Sequence, residues 1–294
     1  MLQDEFLLSP EKDDPYWEVR QAVAERISQD RKAAGLAPVE LDVLASQVAD
    51  GHCQEMAGHR YLSHWDLRGL LPHQRYHLAG GRDHAQENSS RLTVISTNPF
   101  PISAEPTEIL SQLLRAQESF MAEKPPVDLH RKNILDPGHT HVGIGFAVVE
   151  SEFTMTELFV NRYVRLKELP KTLPKGTIRL EGEILRKGYG PYYCMLFYEG
   201  WPHPRTPEEL NLTYAYSDTG GEECGKVPPW EMQYDARGRF RFSVPVKNFG
   251  SGYYHLLLWV RGNVRSIPYQ LTPGKSYQVN TAEAIPCAGW IFRT

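Results

Sequence analysis

The 294-residue chain has only four cysteines, Cys53, Cys194, Cys224 and Cys287, and no two of them form a CxxC pair. A zinc–thiolate site therefore has little support. A disulfide between Cys194 and Cys224 stays open for an oxidising compartment, beside the equal alternative of buried free thiols. No block of Lys or Arg interrupts a chain whose net charge is −4, which argues against a nucleic-acid footprint. No apolar run approaches the roughly 20 residues that a spanning helix needs. The start, Met1-Leu2-Gln3-Asp4-Glu5, is acidic and unlike a leader, so the expectation is either a cytoplasmic protein or a mature chain. Repeats and low-complexity tracts are missing as well. Composition otherwise suits a soluble globular chain of about two domains.

What is present is polar chemistry concentrated in one stretch. Leu62 to Asn88, LSHWDLRGLLPHQRYHLAGGRDHAQEN, is crowded with His and Gly, and a second cluster follows at His130 in DLHRKNILDP. Two helices precede it. In the first, Trp17 to about Ala34, Val19, Val23 and Ile27 recur at four-residue steps and Gly35 ends the run. The second starts on the N-cap Asp42, puts Leu44, Val48, His52 and Met56 on one face, and is expected to stop at Gly58. Leu62–Arg82 is too rich in Gly, Pro and His for one element and reads as an ordered loop with a short helix around His73–His77. Arg91–Ser96 reads as a strand. A third helix begins near Pro106 and ends before Pro125-Pro126. His141–Val149 and Glu152–Val160 then read as a hairpin.

The texture changes at about Arg162. After a linker at 162–176, short strands punctuated by turn residues are expected at Thr177–Leu185, Tyr192–Tyr198, Leu212–Tyr216, Phe240–Val246 and Tyr253–Val260. The last two resemble the end strands of an immunoglobulin-like or fibronectin-like sandwich. The expected division is an arm at 1–15, a first domain at 16–161, the linker, and a β-sandwich at 177–294, α+β in class.

Six pieces fall in a known order: the helix pair RISQDRKAAGLAPVELDVLASQVADGHCQEM, then LSHWDLRGLLPHQR, QEN, HRKNIL, GIGFAV and TELF. Over residues 16–161 this order resembles the CAP superfamily, which unites cysteine-rich secretory proteins, antigen 5 and plant pathogenesis-related proteins. The bacterial members are the most similar. The resemblance implies an α-β-α sandwich with a cleft lined by two histidines and two acids, often holding zinc. His64 matches the first histidine, His130 the second, and Glu87 the acid of a Gly-Glu-Asn motif in which Gln86 replaces glycine. The second acid falls on Glu118, with Glu123 as the alternative. Glu157 stands in TELF where the family often has Gln. The disulfide pattern and cysteine-rich hinge of the eukaryotic branches are absent.

Two imidazoles and carboxylates are donors that suit zinc. A nearby Glu accepting a proton from metal-bound water would make a hydrolase acting on peptide or ester bonds, with Glu87 or Glu118 as base. The leading expectation is instead a secreted protein, extracellular or periplasmic, whose cleft binds an unidentified small molecule, lipid, peptide or cell-wall ligand. His52 reads as a satisfied core histidine. His73 and His77, at i and i+4, are able to bind metal, but Arg75 between them favours a solvated face. Asn88 is expected to secure the Glu87 loop through backbone hydrogen bonds. The second half offers aromatic residues, Tyr192, Tyr193 and Trp201 among them, that suit either a binding platform or core packing, and no catalytic constellation.

Overall fold

The computed structural model describes residues 14–93, 104–218, 220–264 and 279–294. In chain order the elements are α1 (Trp17–Ala33), β1 (Glu40–Leu41), α2 (Val43–His59), α3 (Pro72–Leu78), β2 (His84–Thr93), α4 (Pro106–Ala122), α5 (Leu129–Ile134), β3 (His141–Val149) and β4 (Glu152–Asn161). Then come β5 (Val164–Leu166), β6 (Thr177–Ile184), β7 (Tyr189–Glu199), α6 (Pro207–Leu210), β8 (Glu222–Val227), β9 (Arg239–Pro245), β10 (Tyr253–Gly262) and β11 (Ile285–Arg293). The class is α+β, as expected. The expected arm, and the end of the expected strand at 94–96, lie outside the described residues.

The chain divides into two compact units. The first comprises the residues through Ser63, Glu87–Phe159 and Pro207–Leu212; the second comprises His64–Gln86, Val160–Thr206 and Thr213–Thr294.

The first unit is built on a sheet of order β1-β3-β4-β2, with β1 parallel to β3. The four-residue steps of α1 bury Val19, Val23 and Ile27 against Ile109 and Leu113 of α4 and against the sheet. The Asp42 side chain caps α2 by accepting from the Ala45 amide at 2.7 Å. That helix runs one residue past Gly58, because Arg60 at φ 55° takes the left-handed position and its amide donates to Met56. The GIG segment of β3 has a steric cause. A Cβ on Gly143 would lie 2.2 Å from the carbonyl carbon of Ala45, and one on Gly145 would lie 2.3 Å from that of Ala49. Two glycines in the strand facing two alanines on α2 let helix and sheet backbones approach where no larger pair fits. Buried Arg31 ties the periphery together, its guanidinium donating to the carbonyls of Ala37, Ile134, Asp136 and His139.

The second unit holds two sheets, β11-β10-β7-β8 and β5-β6-β9, around a shared core that includes Leu180, Leu196, Phe242, Leu256 and Phe292. Three expectations are corrected. Leu212–Tyr216 is not a strand: Leu212 and Tyr214 are among the most exposed apolar residues, so the segment has no buried face. The strand beside β7 is instead Glu222–Val227, whose Glu, Gly and Lys content hides it from propensity. Nor are the two C-terminal strands sheet ends together. Tyr253–Gly262 is flanked on both sides, by β7 and β11, while Arg239–Pro245 belongs to the other sheet. The segment His64–Gln86 packs here: α3 rests on β11, the Gly289 amide donates to the Arg82 carbonyl at 3.0 Å, and Asp83 bridges Ala288.

All four cysteines are buried free thiols. Among the described residues no helix is long and apolar enough to cross a membrane.

Candidate functional site

In the first unit the polar groups of the second histidine cluster interlock. The short helix α5 carries His130, whose Nδ1–H donates to Glu123 Oε1 at 2.5 Å, while the His130 amide donates to Glu123 Oε2 at 3.0 Å. The ring stacks on Phe120, with centroids 4.5 Å apart. One carboxylate thus fixes both the backbone and the tautomer of His130, leaving Nε2 as the nitrogen that carries a lone pair. Its side chain is one-third exposed. Asn88 donates to the His130 carbonyl and to Glu157 Oε2, each at 3.1 Å. Asn133 donates to Asn88, and His139 Nε2–H donates to Asn133. Asn88 therefore anchors the histidine helix through its side chain, a larger role than holding its own loop.

Glu87 is buried, with Oε1 3.8 Å from Nε2 of His52. His52 is a core histidine, as expected, and its Nε2–H donates to the Ser63 carbonyl at 2.8 Å. Glu118 stands on the exposed side of α4, with Oε1 3.3 Å from Arg26. Of the two acids weighed as partner to His130, Glu123 is the one in contact with it. Glu157 is wholly buried, and desolvation pushes its carboxyl up to about 8, opposed by the Asn88 hydrogen bond.

His64 falls in the second unit. Its ring lies 4.8 Å from that of Tyr216, and its carbonyl accepts from Arg75 at 2.8 Å. Arg75 faces inward, onto the His64 and Leu70 carbonyls. The solvated face expected of His73 and His77 is accordingly overturned: both rings are buried. Among the described residues, a group able to share one metal ion is His73 of α3, Glu199 of β7 and His255 of β10, whose donor atoms all lie within 4.8 Å of one another. Burial first, then the mutual repulsion of the imidazoles, pulls His73 and His77 well below the usual histidine range; His255 is pulled to about 4, by burial before any other cause. Desolvation raises Glu199 to about 7, opposed by a hydrogen bond from Gln74. The sequence reading missed Glu199 and His255; the one available signal was a histidine inside the otherwise apolar run YYHLLLWV. Tyr192 and Tyr193 are buried packing residues, and Trp201 is partly exposed.

Comparison with known proteins identifies the first part of this architecture. Residues 24–161 match the family model described as CAP, cysteine-rich secretory protein family. That segment, a little under half of the chain, is a CAP domain by this match. Similar solved structures include an extracellular protein containing an SCP domain from Bacillus anthracis, 20% identical over 49% of this chain with a TM-score of 0.38. Another is an outer surface protein from Borrelia burgdorferi, 18% identical, covering 51% of this chain and 96% of its own, with a TM-score of 0.39. The chain spans 41% of the Bacillus protein's length. The comparison with curated proteins gave no match.

Proposed function

We propose that the chain binds a polar ligand through its CAP domain, residues 16–161, with a divalent metal ion, zinc by donor type, held by His130. The observation that supports this most is the Glu123–His130 pair: a carboxylate on Nδ1 orients the ring and sets the tautomer so that Nε2 carries the lone pair, the arrangement that metal-bound histidines use. Bound there, zinc would supply a Lewis acid for an oxygen or nitrogen of the ligand.

Binding is favoured over turnover by where the carboxylates lie. Glu87 is buried with Oε1 3.8 Å from His52, and Glu118 is paired with Arg26 on the exposed surface, where it serves as an ion-pair partner rather than a base. The occupant is a small molecule, lipid, peptide or cell-wall polymer met outside the cytoplasm, the compartment usual for the family. The β-rich region at 177–294, beyond a linker at 162–176, serves as a second, non-catalytic module.

Elemental analysis of the full chain tests the reading. His130→Ala should carry one equivalent of zinc fewer than the wild type. Unchanged metal content in that variant would overturn it.

A further inference from the structure

The second unit contains a set of side chains, three buried imidazoles and one partly buried carboxylate, that packing alone does not account for. Helix α3 presents His73 and His77 one turn apart, β10 contributes His255, and β7 contributes Glu199. The His73 and His255 rings are stacked with centroids 4.5 Å apart, and His77 stands 5.3 Å from His255. All three imidazoles are buried.

A neutral imidazole has one N–H to donate and one lone pair to offer. His77 donates its Nε2–H to the Asp83 carbonyl at 3.0 Å, leaving Nδ1 with no partner. On His73 and His255 neither nitrogen has a partner. Polar atoms left this way are uncommon in native interiors and point to something that completes them. The rings pack directly on the β11 backbone: a Cβ on Gly289 would lie 2.2 Å from His77 Cε1 and 3.3 Å from His255 Nε2, so the strand carries no side chain where the rings meet it. Glu199 is oriented too, its Oε2 accepting from the amide of Gln74, the residue next to His73.

We propose that this cluster is a second metal site, in which His73, His255 and Glu199 bind one zinc ion inside the β-rich unit. Two imidazoles and one carboxylate are borderline donors suited to zinc. Bonds of about 2.1 Å in a tetrahedron set donors about 3.4 Å apart, so side-chain rotations of roughly 1 Å close the present set onto an ion. Asp218, hydrogen-bonded to Nε2 of His84, supplies a further negative charge that acts on His255. The site is structural: its donors come from a helix and two strands, and the ion would fasten α3 to the sheet. It does not depend on the His130 site.

Full-length protein stripped with a chelator and titrated with zinc chloride tests it, read by calorimetry and by thermal unfolding. His130→Ala should keep one tight equivalent and the full zinc-induced rise in Tm. Glu199→Gln should weaken that equivalent on the order of 100-fold, since even outer-shell partners of a metal are worth 10- to 100-fold. His73→Gln combined with His255→Gln should abolish it. If that double variant does not fold, the ring nitrogen resonances of His73 and His255 in the wild type decide: they move on zinc addition, and resonances that stay put overturn the proposal. Undiminished binding in Glu199→Gln, with loss in His130→Ala, would likewise sink the site while sparing the CAP-domain reading.

Discussion

Glu157 lies wholly buried in β4, with Asn88 donating to Oε2 at 3.1 Å and no partner for Oε1. Burial is the largest influence on its carboxyl, which titrates near 8 when folded against 4.5 for the unperturbed group. Such a raised value means that folding favours the protonated acid. The stability this contributes is complete below the unfolded value and is lost as pH rises toward the folded one. Between pH 5.5 and 7.5 the unfolded chain has released the proton and the native chain has not, so the native state loses about 1.4 kcal/mol per pH unit, or roughly 3 kcal/mol across the window. Glu157→Gln keeps the shape, lets Asn88 donate to the amide oxygen, and removes the ionisation. Urea unfolding of both proteins at several pH values, taken as wild type minus variant, cancels every other titrating group. The variant's stability relative to the wild type should rise by roughly 3 kcal/mol between pH 5.5 and pH 7.5. Parallel pH profiles would refute the reasoning, because they would mean that the carboxylate is held ionised by a cation or reached by water.

The close approach of α2 and β3 predicts that Gly145→Ala costs about 1–3 kcal/mol by overpacking. Gly51→Ala, on the same helix with nothing within 4 Å of the new Cβ, should stabilise by roughly 0.5–1 kcal/mol; equal effects in urea unfolding would contradict the packing account. Arg31→Met, which strips four carbonyls of their donor, should cost at least about 3 kcal/mol and lower Tm, and a neutral result would mean that water replaces the guanidinium. The thiols predict slow chemistry: burial raises all four, Cys224 to about 12, so a thiol reagent should meet almost no reaction in native protein and four equivalents in urea. Reductant should leave Tm unchanged.

Helices were the readable part of this chain, because an amphipathic surface helix writes its buried face as a period. Val19, Val23 and Ile27 announce α1, and Asp42 announces the start of α2 by an electrostatic contact three residues long. Glu222–Val227 was unreadable for the opposite reason. Its place in the sheet is set by main-chain pairing with β7, and its side chains carry little β preference. At the candidate site, the family's motif order points to His130 and Glu87, but the choice between Glu118 and Glu123 turns on where α4 ends. The chain leaves the helix at Glu123, which swings that carboxylate onto His130 and leaves Glu118 on the outer face beside Arg26.

The histidine cluster of the second unit was hidden by two inferences that usually hold. Arg75 between His73 and His77 suggests solvent, since a guanidinium is seldom buried without partners. Here it has partners, the His64 and Leu70 carbonyls at the irregular turn before α3, so a cation marks an inward face. His255 sits in a strand buried on every residue from Tyr253 to Val260, where alternation vanishes and one polar residue among apolar ones leaves no periodic trace. What remains is an energetic signal rather than a pattern. A polar ring in a strand buried on both faces is costly unless something satisfies it, and His255 has no hydrogen-bond partner for either nitrogen. A histidine in such a run therefore implies a second polar group brought from elsewhere in the chain, and α3 supplies it 182 residues earlier, at His73.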